Sequence, residues 1–264
     1  MAINDLGNYL RARRHALRPA DVGLTTEPGR RVEGLRREEV ARRAGISPEY
    51  YLRLEQGRDT HPSDQVLRAL AVALGLDDAA TAYLQRIADP PPLRSFAPLP
   101  GSLDDDVFVF LDGFQDTAAY VINACQDVLA VNDRASRVFT FGAVGSNMFD
   151  TLFSDAARAN LPNWDDHVLL ALAALRERSD PDDPRLHELV GRLVVTEPDF
   201  VRLWGRHDVT VQSSGVGTTW VAGIGLLTLR WQSLAVPGDA RLTLVAHYAD
   251  PGTREEEILR SLGD

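Results

Sequence analysis

Residues Asp89 to Gly101 include Pro90, Pro91, Pro92, Pro98 and Pro100. A proline has no backbone N–H and its φ is locked, so no helix interior and no central strand can run through this stretch. It predicts a semi-rigid spacer, and hence two domains: residues 1–88 and 102–264, joined by a linker at 89–101. A chain of 264 residues exceeds the common single-domain size, and each side of the spacer is long enough to bury a core of its own.

The two sides differ in charge. The formal net charge of −10 divides into +2 for residues 1–88 (14 Arg against 12 acidic residues) and −12 for the rest. That asymmetry suggests a nucleic-acid-binding module attached to an acidic partner domain. Cys125 is the single cysteine, which excludes an intramolecular disulfide or a thiolate zinc cluster and fits a reducing, cytoplasmic location. Neither a basic stretch followed by an apolar run at the N-terminus nor an 18-residue apolar segment is present, so neither export nor a membrane is expected. The histidines at 15, 61, 167, 187, 207 and 247 show no i, i+4 pairing. No Gly-rich phosphate loop or nucleophile elbow occurs either, so no metal, cofactor or catalytic group is expected.

Five short helices are predicted before the spacer. The first covers residues 4–17, with Leu6, Leu10 and Leu17 on one face; Arg18 to Leu35 then forms a long loop exposing Arg30 and Arg31. Arg37 to Ala44 is a second helix, stopped by Gly45, which can adopt the positive φ that helix ends favour. Ser47 caps the third, Pro48 fits its first turn and Glu49 suits its dipole; this helix runs to Gln56. Ser63 caps a fourth and Asp77 opens a fifth ending near Ala88.

The segment Arg36-Arg37-Glu38-Glu39-Val40-Ala41-Arg42-Arg43-Ala44-Gly45-Ile46-Ser47-Pro48-Glu49-Tyr50-Tyr51-Leu52-Arg53-Leu54-Glu55-Gln56-Gly57-Arg58 therefore encodes two short helices about a glycine turn. Val40, Ala41, Ile46, Tyr51 and Leu54 face inward, and the N-terminal half of the second helix projects, as entry into a major groove requires. The plain alternative is a helical hairpin that only builds a core.

This segment resembles the helix-turn-helix regulators of the xenobiotic-response-element, or lambda-repressor-like, class. With Leu6-Gly7 before it and Arg202-Leu203-Trp204-Gly205-Arg206-His207-Asp208-Val209 after it, nearly the whole chain is similar to the MmyB-like regulators. The resemblance implies a recognition helix starting at Ser47, with Pro48, Glu49 and Arg53 facing base edges. Arg53 suits guanine O6 and N7, and Glu49 suits cytosine N4. It assigns Arg37, Ser47, Tyr50 and Arg58 to phosphates, Arg37 standing where a glutamine is frequent in the wider class. Glu55 would form a structural ion pair with Arg14.

After the spacer, Ala119 to Asn123 and Val128 to Val131 read as strands and Asn132 caps a helix through Phe139. Residues 150–206 are helical in about three pieces. Val209 to Gln212, Thr218 to Gln232 and Arg241 to Ala249 read as strands, with a bend at Gly223 and Gly225, and a last helix covers residues 253–262. The fold class expected is thus a five-helix lambda-repressor-like domain plus an α+β domain with an antiparallel sheet. The strand, turn, strand, capped-helix opening resembles a PAS-type sensory fold, and the family resemblance implies a small hydrophobic, fatty-acid-like effector. Tyr120, Met148, Phe200, Trp204, His207 and Trp220 are candidate pocket residues, because large aromatic and soft side chains line apolar cavities; the alternative for each is the core, where such side chains stand more often than in a pocket. His207 beside Asp208 either meets a ligand carboxylate or bonds within the fold, and the second is preferred.

The function expected is a ligand-responsive repressor that binds double-stranded operator DNA as a homodimer. Two alternatives are a constitutive DNA-binding protein whose second domain only dimerises, and an enzyme tethered by a helical domain.

Overall fold

The computed structural model describes residues 6–25, 30, 32–89, 103, 105–139, 143–209, 213–236 and 239–263. The helices α1 (Leu6–Ala16), α2 (Arg37–Ala44), α3 (Pro48–Glu55), α4 (Asp64–Ala73) and α5 (Asp78–Ala88) come first, with a 3-10 turn at Pro19–Val22 after α1. Next come α6 (Asp105–Asp112), β1 (Ala118–Asn123), β2 (Val128–Val131), α7 (Asp133–Val138), α8 (Met148–Leu152), α9 (Asp155–Asn160) and α10 (Trp164–Arg178). They are followed by α11 (Pro184–Thr196), α12 (Pro198–Trp204), β3 (Ser214–Val221), β4 (Gly225–Val236), β5 (Asp239–Tyr248) and α13 (Arg254–Ser261).

The chain forms two compact units: Met1–Phe96 with Val190–Thr210, and Ala97–Leu189 with Val211–Asp264. The first unit is built as the punctuation of the sequence dictates. Gly45 closes α2 at φ 67°, and the Ser47 hydroxyl accepts from the Tyr50 amide at the start of α3. Ser63 and Asp77 cap α4 and α5 in the same way. Leu6, Tyr9, Leu10, Val40, Tyr51, Leu54, Leu67, Leu70 and Leu84 meet in one core. Gly7 has to be glycine here: a Cβ would stand 2.5 Å from the Glu55 carbonyl oxygen, so α1 crosses the end of α3 at backbone contact.

That core also contains Val209. Sequence division at the spacer places residues 190–210 with the second domain, whereas the compact units place them with the first. Val209 was expected in a strand but lies outside any strand, its side chain buried among the helices; residues 210–212 of that expected strand lie outside the described residues.

The second unit carries a five-stranded antiparallel sheet in the order β2-β1-β5-β4-β3, as an α+β, PAS-like reading requires. The single strand expected over Thr218 to Gln232 is instead a hairpin. Gly223 (φ 78°) and Gly225 (φ 99°) turn the chain between β3 and β4, making the expected bend a full reversal. The helical stretch 150–206 consists of five pieces, α8 to α12, of which α8 begins at Met148.

Strand register sorts side chains onto two faces, because alternate residues point to opposite sides. One face gathers Ala118, Tyr120, Ile122, Val221, Leu227, Leu229 and Val245 beneath Ala135, Val138 and Leu259. The other gathers Ala119, Val121, Ala130, Leu244 and Ala246 against Leu111 of α6. The β1–β2 turn is tied to α11 through Asp127, whose carboxylate accepts from Arg185 (2.9 and 2.6 Å), Asn123 (2.9 Å) and Asn147 (2.8 Å). Burial opposes charge on Asp127, but these bonds outweigh it and hold the group below the usual carboxylate range.

Candidate nucleic-acid interface and sensory sheet

The helix-turn-helix surface begins with what locks it. The carboxylate of Glu55, fully enclosed, accepts from Arg14 Nε at 2.6 Å and Arg37 Nε at 2.7 Å. Arg14 is itself buried and also donates to the Leu35 carbonyl at 3.0 Å. Arg11 donates to the Glu55 carbonyl at 2.9 Å, so two neighbouring basic residues of α1 grip the C-terminal end of α3. Burial alone would raise the Glu55 pKa; the two guanidinium bonds reverse this and lower it. Arg14 and Glu55 thus form the ion pair that the family resemblance implies, and Arg37 joins it with its side chain still half exposed.

Upon this base, Ser47, Pro48, Glu49, Arg53 and Arg58 are all exposed, while Tyr50 is partly buried against the core. The Arg53 guanidinium lies over the Tyr50 ring, 5.2 Å from its centroid. This cation–π contact restrains a long side chain on the outer face of α3, a restraint that sequence spacing alone did not reveal. Arg30 is not a free surface cation. It donates to both Glu39 oxygens (2.7 and 2.6 Å) and to the Val32 and Gly34 carbonyls, tying the loop to α2. Those Arg30 bonds hold the Glu39 carboxyl down to about 2. Arg31 lies outside the described residues.

The six aromatic and sulfur-bearing candidates do not gather in one unit. Phe200, Trp204 and His207 lie in the first, where Phe200 and Trp204 stack at 5.4 Å and all three are buried. Tyr120, Met148 and Trp220 lie in the second. Tyr120 and Met148 belong to the same apolar cluster, whereas Trp220, paired with Leu226, stands on the opposite face of the sheet.

The residue beside Tyr120 that sequence reading passed over is His247. Its ring stacks on Tyr120 (centroids 5.7 Å apart), its Nε2 is 3.3 Å from the Tyr120 hydroxyl, and Phe139 packs edge-on at 4.7 Å. The alternation of β5 held the signal, since His247 is two residues from inward-facing Val245. Burial pushes the His247 pKa down to about 4 and the Tyr120 pKa up.

The unfolded His247 side chain titrates near 6.5. Between that pH and about 4, the unfolded chain therefore holds a proton that the folded chain lacks. Stability should fall as pH drops through this window, by up to about 1.4 kcal/mol per pH unit. Replacing the residue (His247→Leu) is expected to remove that part of the slope in melts from pH 4.5 to 6.5. An unchanged slope would show that the ring titrates freely.

Among the described residues, no group of three or more His, Cys, Asp or Glu side chains is placed to hold a metal ion, and no helix is long and apolar enough to cross a membrane. Comparison with known families places both halves. A model described as the MmyB-like transcription regulator ligand binding domain matches residues 104–262, and a helix-turn-helix domain model matches residues 5–84. No curated protein matches the chain.

Proposed function

Because this chain belongs to the MmyB-like transcription regulators, and so is a DNA-binding regulator with a ligand-binding domain, we propose that it is a ligand-responsive repressor acting as a homodimer on a pseudo-palindromic operator. The observation that carries the DNA half of this reading is the exposed row Ser47, Pro48, Glu49, Arg53 and Arg58 on a helix whose base is locked by Glu55. A recognition helix must present its side chains without spending binding energy on ordering them. Arg53, restrained over Tyr50, reads guanine, Glu49 accepts from cytosine, and Ser47, Tyr50, Arg58 and the free edge of Arg37 meet phosphates. Paired heads would read major-groove faces about 34 Å apart.

The effector is proposed to be small and hydrophobic, of fatty-acid type, and to meet the sheet face around Tyr120, Met148 and His247. These side chains combine apolar area with a single hydroxyl–imidazole pair, the mixture that orients a ligand bearing one polar end. Its binding would alter the dimer and so the spacing of the heads.

Selection from random duplexes followed by footprinting tests the DNA reading. Two inverted half-sites one helical turn apart are expected, and a single asymmetric half-site would sink the homodimer. Removing Arg53 (Arg53→Ala) should cost about 1–3 kcal/mol of operator binding and relax selection at one guanine. A uniform loss across all sequences would instead make Arg53 a phosphate contact. Native mass spectrometry of the purified chain, with extraction of whatever is bound, tests the effector: a dimer carrying an apolar molecule is expected.

A further inference from the structure

We propose that residues 190–210 are a clasp: they complete the DNA-binding unit and are the route by which the ligand-binding sequence acts on it. The proposal deepens the regulator reading and rests on it, but the cleavage and exchange tests of the clasp need neither operator nor effector. The family models split the chain at its spacer, with 104–262 on the ligand side, yet Val190–Thr210 forms one compact unit with the N-terminal helices. Val209, only 7% exposed, belongs to the same core as Leu10, Tyr51 and Leu67. His207 sets its ring edge-on to Tyr9 (centroids 6.3 Å apart), and Tyr9 in turn donates to the Ala80 carbonyl of α5 at 3.2 Å. His207 does this from a left-handed backbone (φ 52°), a conformation that non-glycine residues rarely adopt and histidine tolerates better than most. Asp208 sits between Arg13 of α1 at 3.2 Å and Arg206 at 2.9 Å.

What gives these contacts regulatory meaning is the other side of α1. Arg13 faces the clasp, while Arg11 and Arg14 hold the end of the recognition helix through the Glu55 carbonyl and carboxylate. One helix therefore connects the two. The clasp continues at both ends into second-unit sequence, at Leu189 within α11 and at Val211. A rearrangement that pulls on those junctions loads the clasp, and through α1 the footing of α3.

The test is to place a site-specific protease sequence within residues 89–101 of the full chain, fold it, cut it and run size exclusion under native conditions. If the clasp holds, the fragments co-elute after complete cleavage. Charging the buried anchor (Val209→Asp) separates them. Reversing one charge (Arg13→Asp) weakens retention, and adding Asp208→Arg restores it, a rescue that misfolding would not give. Separation of the unmodified fragments, or retention unaffected by all of these changes, overturns the clasp. The route to α3 is read in the uncut chain by amide exchange. Removing the charge (Asp208→Asn) should speed exchange in α1 and α3 by roughly fivefold while leaving β1 to β5 unchanged. No change, or an equal change in both units, overturns the route. A chain that loses the clasp but still selects an operator would refute this inference and leave the regulator reading standing.

Discussion

Loss of the Glu55 carboxylate (Glu55→Ala) is expected to cost the first unit about 3–5 kcal/mol, the penalty for leaving a buried partner charge uncompensated. Arg14, with a side chain 6% exposed, would keep its bond to the Leu35 carbonyl but lose its carboxylate partner. Arg37 is half exposed and can turn to water, so most of the damage comes through Arg14. Acid titration gives the sign. Burial raises the Glu55 pKa, but the Arg14 and Arg37 bonds lower it further, so its folded value lies below the unfolded 4.5. Its contribution is therefore complete above about 4.5 and is lost as pH falls through the folded pKa. Denaturant unfolding of the wild type and the variant at pH 7 and at pH 3.5 measures both: a large gap at neutrality that narrows in acid. A variant as stable as the wild type at pH 7 would mean that α1 and α3 are held together without the Glu55 carboxylate, by apolar packing and by the bonds of Arg11 and Tyr51 to backbone carbonyls.

Removing the carboxylate at the β1–β2 turn (Asp127→Ala) should cost the second unit about 2–4 kcal/mol, less than the full buried-pair penalty because Arg185 retains 36% of its side-chain exposure. Asn123, Asn147 and Arg185 would each lose one acceptor at a stroke, Arg185 keeping Glu188 and Asn147 keeping the Cys125 carbonyl, and with it would go the tie between the turn and the start of α11. The neutral isostere (Asp127→Asn) keeps one acceptor oxygen and should fall between. Amide exchange is the discriminating measurement, with loss of protection in β1 and β2 expected and α1 unaffected. Protection lost equally throughout the chain would count against a local role.

Much of this architecture is legible wherever a residue has a single local job. Gly45, Ser47, Pro48, Asp77 and Asn132 mark helix ends because caps and positive φ are chemistry within a few residues, and the boundaries they predict match. The Arg14–Glu55 pair was reached through family resemblance, since 41 residues separate its members. Three features escaped. In α6 the run Val107-Phe108-Val109-Phe110-Leu111 is apolar at every position and so has no helical period to read. The β3–β4 reversal hides in a stretch whose β-branched composition continues across Gly223 and Gly225. The packing of Val209 in the helical core has no local signature, because this side chain would be apolar in any environment that buries it.

The two-stretch construction of the first unit also bears on how such chains recombine. A crossover in the proline stretch would look like a clean exchange of one reading head for another. It would transfer Tyr9 and Arg13 but leave Val209, His207 and Asp208 behind. An incoming head would meet a plug and a counter-charge shaped for its predecessor, so heads and clasps must be inherited, or engineered, as matched sets.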